Sequence, residues 1–126
     1  MIISDKYRFV FIHNPKCGGT SVRKALQDYD TRNNHFWMFA EVYGVKVDKA
    51  HMPLYLLRVY SPQDYDILKT YFTFMFVRHP IERCISGFNE THKGLVRDLV
   101  SKKVTYDEYC ATLNSFVQGL TEKKIN

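Results

Sequence analysis

This chain of 126 residues lacks the sequence features of membrane-spanning, exported, disulfide-bonded and zinc-binding proteins. No apolar run approaches the about 20 residues that a membrane-spanning helix needs, and the first six residues, Met1 to Lys6, are too short for an apolar export segment. The three cysteines (Cys17, Cys84 and Cys110) are an odd number without a C-x-x-C pair, so neither a disulfide scaffold nor a zinc site is expected. These absences together predict a cytoplasmic protein without a membrane partner.

Charge of one sign is not concentrated anywhere in the chain. Lysine and arginine outnumber the acidic residues by 18 to 13, which gives a net charge of +5 and a pI of about 9.1. The nearest approach to a basic cluster comprises Lys93, Arg97, Lys102 and Lys103, a spacing more typical of a solvated helix face than of a nucleic-acid site. The basic surplus fits a ligand with several negative charges, and it equally fits a role in solubility alone.

The common nucleotide-binding loops are absent too, yet a different anion loop is present. Residues 8–13 read Arg-Phe-Val-Phe-Ile-His and favour a buried parallel strand. Residues 14–21 follow as Asn-Pro-Lys-Cys-Gly-Gly-Thr-Ser, in which Lys16 precedes the glycines instead of following them, and no G-x-G-x-x-G occurs. Gly18 and Gly19 allow a tight turn close to a ligand, and Thr20 and Ser21 place hydroxyls and N–H groups at a helix start. The segment predicts a loop that binds phosphate or sulfate.

A second strand and helix repeat this arrangement. Residues 71–77 form an apolar strand pattern, and residues 78–88 follow as Arg-His-Pro-Ile-Glu-Arg-Cys-Ile-Ser-Gly-Phe. Pro80 suits the first turn of a helix. The helix is predicted to place one apolar face against the sheet through Ile81, Cys84, Ile85 and Phe88. Arg78 then lies at the carboxyl end of the strand and Ser86 on another face of the helix.

These two segments resemble the sulfotransferases that use 3′-phosphoadenosine 5′-phosphosulfate (PAPS). Residues 15–21 resemble the family's 5′-phosphosulfate loop, and residues 78–88 resemble its 3′-phosphate motif. Residues 49–54, Lys-Ala-His-Met-Pro-Leu, are similar to the acceptor-side histidine segment of the carbohydrate sulfotransferases, and residues 105–109 resemble a short helix start of that family. The resemblance implies a single α/β domain over residues 1–126, with a small parallel sheet flanked by helices, similar to the P-loop nucleotide hydrolases.

The resemblance also implies a role for each matching residue. The 5′-phosphosulfate is expected at Pro15, Lys16, Cys17, Gly18, Gly19, Thr20 and Ser21. Arg78 and Ser86 are expected to bind the 3′-phosphate, and Arg83 is either a further ligand contact or part of a structural ion pair. Lys16 is a candidate to neutralise the leaving phosphate, and His51 a candidate general base, although a surface or capping role also fits that histidine. No metal is expected, because protein donors would neutralise the anions of PAPS and of the product 3′,5′-phosphoadenosine (PAP).

The chain ends sooner than typical members of that family, which leaves three functions open. A compact sulfotransferase would complete its site with a minimal lid or as a homodimer. A shortened relative would bind PAPS or PAP without transferring sulfate. A small kinase is the third, although the G-K-[ST] sequence and Mg²⁺ carboxylates are missing. The acceptor of a sulfotransferase is expected to be a glycan hydroxyl, then a small alcohol or phenol, then a protein tyrosine.

The remaining sequence gives local predictions. Ser61-Pro62 and the capping box of Thr105 and Glu108 each predict the start of a helix. Residues 31–50 carry four aromatic side chains among polar groups, which either line an acceptor cleft or cover the sheet as core: Phe36, Trp37, Phe39 and Tyr43.

Overall fold

The computed structural model describes residues 1–122, which divide after Val77 into two compact units. The strands are β1 Ile2–Ser4, β2 Phe9–Ile12, β3 Phe39–Val42, β4 Val45–Asp48 and β5 Phe72–Met75. The α-helices are α1 Gly19–Leu26, α2 Leu54–Tyr60, α3 Pro62–Thr70, α4 Pro80–Thr91, α5 Lys93–Val100 and α6 Tyr106–Glu122. Short 3₁₀ turns occupy Gln27–Tyr29, His35–Trp37 and Lys49–His51. The predicted α/β class is confirmed, whereas the single domain over residues 1–126 stays a prediction.

The sheet differs from the predicted parallel one. Its strand order is β1-β2-β5, in which β1 runs antiparallel to β2 and only β2 and β5 are parallel. The two strands expected from the sequence form that parallel pair, with Phe11 opposite Phe74. The antiparallel strand has a local cause, because only four residues separate Ser4 from Phe9, and parallel strands need a crossover of about a dozen residues or more.

Residues 31–50 combine turns with a separate two-stranded sheet. Strands β3 and β4 pair antiparallel through a two-residue turn at Tyr43 and Gly44, whose φ angles are 52° and 74°. Two positive φ angles match the twist of a hairpin. Of the four aromatic residues in this stretch, only Phe36 joins the core, at 1% exposure, while Tyr43 is 82% exposed. The core interpretation therefore holds for Phe36 alone.

Ile2 and Phe11, paired across β1 and β2, are buried on one side of the β1-β2-β5 sheet, and the main core cluster of the first unit lies on the other side. Its fully buried centre contains Ile3, Val10, Phe36 and Leu57, and α3 adds partly buried side chains such as Leu68. Alternation along β1 and β2 brings Ile3 opposite Val10, so one face of each strand supplies this cluster.

Ion pairs connect the segment that follows α1 to the loop after β1 and to α3. Arg32 donates from Nε to Asp64 Oδ1 at 2.9 Å and from Nη1 to Asp5 Oδ2 at 2.5 Å. Asp64 is buried and also accepts a 2.7 Å hydrogen bond from the Ser61 hydroxyl at the start of α3. A buried carboxylate needs such partners, and here they join three distant segments of the first unit.

The second unit contains α4, α5 and α6. Phe88, which is completely buried, packs against His92 of the α4 C-terminus and against Tyr109 and Phe116 of α6. Phe88 of the predicted apolar face thus packs within the second unit, Ile81 at the start of that face is 65% exposed, and the placement of this face against the sheet stays a prediction. The predicted start of α6 is confirmed, since Thr105 N–H donates to Glu108 Oε2 at 2.7 Å and Glu108 N–H to Thr105 Oγ1 at 3.3 Å.

Gly19 has a packing role that the sequence did not indicate. A Cβ at this position would lie 1.8 Å from His13 Cδ2 and 2.1 Å from His13 Nε2. Because the imidazole of His13 is itself buried at 7% exposure, neither group has room to move away. A hydrogen at residue 19 therefore lets the first turn of α1 lie against the ring that follows β2.

We predict that Gly19→Ala lowers the free energy of unfolding by about 1–3 kcal/mol, the usual cost of overpacking a filled interior. Urea unfolding followed by circular dichroism measures this change. Gly87→Ala is the matched control, since nothing lies within 4 Å of a Cβ there and the position is inside α4; it should be neutral or stabilising by up to about 1 kcal/mol. Equal stability of Gly19→Ala and the unmodified protein would contradict the tight contact with His13.

Candidate functional site

The predicted anion loop connects β2 to α1. Lys16 and Gly18 both have positive φ, at 62° and 76°, so the backbone turns sharply twice within three residues. Gly18 caps α1, and Ser21 N–H donates to the Gly18 carbonyl at 3.1 Å. A positive φ is unusual for lysine and costs free energy; strained residues of this kind concentrate where a loop must hold a ligand.

The side chains of the loop have different surroundings. Thr20 and Ser21 are exposed at the first turn of α1, so this turn presents both hydroxyls to solvent. Cys17 is buried, and its thiol donates to the Pro15 carbonyl at 3.5 Å. Cys17 is thus directed at the loop's own backbone.

Asn14 fixes where the loop begins. Its side-chain Nδ2 donates to the carbonyl of Phe76, one residue beyond β5, at 3.2 Å. This bond ties the end of β2 to the end of the parallel strand beside it. The loop therefore starts at the carboxyl edge of the parallel pair, where open α/β sheets bind ligands.

The predicted 3′-phosphate residues lie in the second unit. Arg78 is exposed and donates from Nε to Glu82 Oε2 at 3.1 Å across one turn. That bond uses one of the five N–H donors of the guanidinium. Ser86 lies two turns into α4 and is half-buried. Arg78 thus precedes α4 and Ser86 lies within that helix, and their role in binding the 3′-phosphate stays a prediction.

His51 ends the 3₁₀ turn Lys49–His51, which begins at Asp48. The carboxylate of Asp48 contacts His51 Nδ1 at 2.7 Å and also accepts the Ala50 N–H at 3.0 Å. Lys49, in the same turn, is buried with its amine near His35 Nε2 and the Tyr60 hydroxyl, at 3.4 and 3.5 Å. The turn is thus held at both ends, and His51 projects from it partly exposed.

A stack of rings connects His51 to α1. The ring of His13 lies parallel to Trp37, with centroids 5.4 Å apart, and its centroid is 4.6 Å from that of His51. The guanidinium of Arg23, in α1, lies 3.9 Å from the centre of the Trp37 ring. Burial, and secondarily the nearby His51, lower the pKa of His13 to about 4. His13 is therefore a neutral ring at physiological pH.

One pocket brings the anion loop and the histidine segment together. It has a volume of about 170 Å³, and its walls include Asn14 and Pro15 of the loop, His13, His51 and Leu57. Most of its lining is apolar, with methionine and proline side chains beside the two imidazoles. Since binding pockets for whole small molecules usually measure about 300–1,000 Å³, this one has room for only part of a ligand.

One residue beside His51 was not identified from the sequence. Asp48 precedes the histidine segment by one residue, and its D-x-x-H spacing across a turn is the signal that could have identified it. Trp37 was noted only as one of four aromatic residues in 31–50, and only the folded chain places it over His13.

Comparisons of the sequence with known proteins identify the family of this chain. The sequence pattern of the sulfotransferase family matches residues 1–124. The chain therefore belongs to the sulfotransferase family. Among curated proteins it is similar to carbohydrate sulfotransferase 10 of Xenopus laevis, with 36% identity over 92 residues, and to that of Homo sapiens, with 36% identity over 93 residues.

The matched residues make up most of this chain but only a small part of each relative. It includes 71% of this chain but 25% of each of those relatives, so this chain spans about a quarter of their length. No solved structure matches the chain. The interpretation as a small nucleotide kinase finds no support in these comparisons, and the resemblance to the carbohydrate branch is confirmed.

The predicted cytoplasmic location is wrong. The relatives are carbohydrate sulfotransferases, and the members of this family that modify glycans in the secretory pathway carry a membrane anchor. The prediction depended on reduced cysteines and a missing export segment, neither of which outweighs the relatives. Of the helices in residues 1–122, none has the length and apolar character needed to cross a membrane.

We predict that the stability of the protein depends on pH through His13. The unfolded chain binds a proton at an ordinary histidine pKa of about 6.5, whereas the folded chain binds it only near 4. Unfolding therefore takes up a proton between these values, and stability is complete above pH 6.5 and falls as the pH drops towards 4.

His13 is expected to contribute about 2 kcal/mol to the loss of stability between pH 7.5 and pH 5, measured by urea unfolding at each pH. The loss should be smaller by about this amount in His13→Gln, whereas His79→Gln, which replaces an exposed histidine, should keep the full loss. An identical pH dependence in His13→Gln and the unmodified protein would show that His13 does not titrate in this way.

Proposed function

We propose that this protein transfers the sulfuryl group of PAPS to a hydroxyl group of a carbohydrate. The observation that carries the proposal is the pocket whose walls include both the start of the anion loop, at Asn14 and Pro15, and His51. A sulfuryl transfer needs an anion-binding group and a base beside one acceptor hydroxyl. Membership of the sulfotransferase family and the similarity to carbohydrate sulfotransferase 10 support the reaction and the acceptor class.

The 5′-phosphosulfate fits the loop at residues 15–21. The exposed first turn of α1 offers the hydroxyls of Thr20 and Ser21, and the positive end of the helix dipole favours an anion there. The left-handed backbone at Lys16 and Gly18 shapes the approach to that turn. In this proposal Lys16 neutralises the charge that develops on the departing phosphate, an interaction that is stronger in the transition state than in the ground state.

The 3′-phosphate is assigned to Arg78 and Ser86. The planar guanidinium provides paired donors that match a phosphate, and the bond to Glu82 orients it from one side. Ser86, within α4, adds a hydroxyl group as a second hydrogen-bond donor to the phosphate. This pair would distinguish PAPS from nucleotides that lack a 3′-phosphate.

His51 is the proposed general base. The acceptor oxygen forms its bond to sulfur while the bond between sulfur and the phosphate oxygen breaks, and the acceptor proton passes to the imidazole. The pocket beside His51 has room for only part of an acceptor molecule. Its apolar lining suits the carbon face of a sugar ring more than a charged group.

A second candidate function is binding of PAPS or PAP without transfer of sulfate. Nucleotide binding is common to both functions, and transfer separates them.

We predict that PAP binds more tightly than 5′-AMP by about 10-fold to 100-fold, the range expected for hydrogen bonds between charged groups. Isothermal titration calorimetry with PAP, 5′-AMP and ATP measures this preference. Arg78→Ala should reduce PAP affinity by the same factor and leave 5′-AMP affinity unchanged, because 5′-AMP lacks the 3′-phosphate. Arg58→Ala, at an exposed arginine of α2, is the control. Equal affinity for PAP and 5′-AMP in the unmodified protein would contradict the 3′-phosphate site.

We predict that His51→Gln lowers sulfate transfer by about 10²-fold to 10⁴-fold, the usual contribution of a general base, and leaves PAP affinity within about twofold. Transfer from radiolabelled PAPS to a panel of oligosaccharides measures the rate, and His79→Gln is the control. Wild-type rates in His51→Gln would exclude His51 as the base. PAP binding without any transfer by the unmodified protein would favour the binding function.

A further inference from the structure

Asp48 uses both oxygens of its carboxylate within the His51 turn. Oδ1 accepts the Ala50 N–H at 3.0 Å, and Oδ2 contacts His51 Nδ1 at 2.7 Å. The first bond caps the 3₁₀ turn and fixes how the carboxylate is oriented. The second is short, as expected for a hydrogen bond to an ionised acceptor.

This contact determines which imidazole nitrogen carries the proton. An ionised carboxylate only accepts hydrogen bonds, so Nδ1 of His51 is the donor. In a neutral imidazole one nitrogen carries hydrogen and the other does not, which leaves Nε2 with a lone pair. A general base needs that lone pair, and the carboxylate also stabilises the imidazolium formed when the base accepts a proton.

The other groups around His51 do not compete with this pairing. His13 approaches from the end of β2 and is buried and neutral, so it adds no second positive charge when His51 becomes protonated. Lys49, from the same turn, directs its amine towards His35 and Tyr60. Within the part of the chain that the structure describes, Asp48 supplies the carboxylate beside His51.

We propose that Asp48 is a positioning residue that holds His51 with Nδ1 protonated and Nε2 available to accept the acceptor's proton. This inference rests on the proposed function for its catalytic meaning, whereas the tautomer it specifies is a property of the protein without substrate. Neither the resemblance of the histidine segment nor the family match includes this role for Asp48.

The first test is ¹⁵N NMR of the imidazole nitrogens of the unmodified protein, well above the ordinary histidine pKa of about 6.5. Comparison with His51→Gln identifies the signals of His51. We expect Nδ1 of His51 to carry the proton, and a ring protonated mainly at Nε2 would overturn the proposal without any variant of Asp48.

The second test is Asp48→Asn. The asparagine oxygen can keep the bond from Ala50 N–H, which turns the amide N–H towards His51 Nδ1 and reverses the donor. We expect the proton of the neutral ring to move to Nε2. Asp66→Asn, at an exposed aspartate paired with Lys69, should leave the His51 tautomer unchanged. A His51 ring that stays protonated at Nδ1 in Asp48→Asn would overturn the proposal.

Kinetics separate this inference from the proposed function. In an active protein, Asp48→Asn should lower kcat by at least about tenfold and change the KM for PAPS less than about twofold, and a wild-type kcat would overturn the positioning role. If the unmodified protein binds PAP but transfers no sulfate, the proposed transfer fails. The tautomer measurement then still decides whether Asp48 positions His51.

Discussion

The buried imidazole of His13 is the contact on which the candidate site depends. It follows β2, excludes any side chain at Gly19 in the first turn of α1, and packs between Trp37 and His51. Four segments of the first unit therefore meet at one ring. Because interiors are close-packed, the position of that ring sets how α1 and the His51 turn lie relative to the sheet.

Burial of this ring has an electrostatic consequence for the site. A protonated His13 would place a second cation next to His51, and burial together with that neighbour lowers its pKa to about 4. The positive groups assigned to the sulfate donor, Lys16 and Arg78, lie on a loop and at an exposed junction instead. Lys16 and Arg78 are thus placed where solvent or an anion can meet them, while the neutral ring of His13 supports the fold.

Much of the parallel pair and its two following helices could be predicted from the sequence, because apolar runs, proline and glycine are local signals. The sheet as a whole could not. The pairing of β1 with β2 follows from a tight connection at residues 5–8 that no turn motif indicated, and the β3–β4 hairpin has Tyr43 where a hairpin turn usually has Asn or Asp. Periodicity identified the apolar face of α4 without naming what covers it, and only the structure shows Phe88 packed against Tyr109 and Phe116.

The sequence by itself determined the anion loop, the arginine and serine of the second motif and the histidine segment, since each is a short run whose chemistry is local. Those runs were sufficient to identify the family. Only the tertiary structure decided that Asp48 holds His51, that Trp37 covers His13 and that Gly19 must lack a side chain. Trp37 and His13 are far apart in the chain and are brought together by packing, whereas Asp48 and His51 are three residues apart and meet because Lys49–His51 forms a 3₁₀ turn.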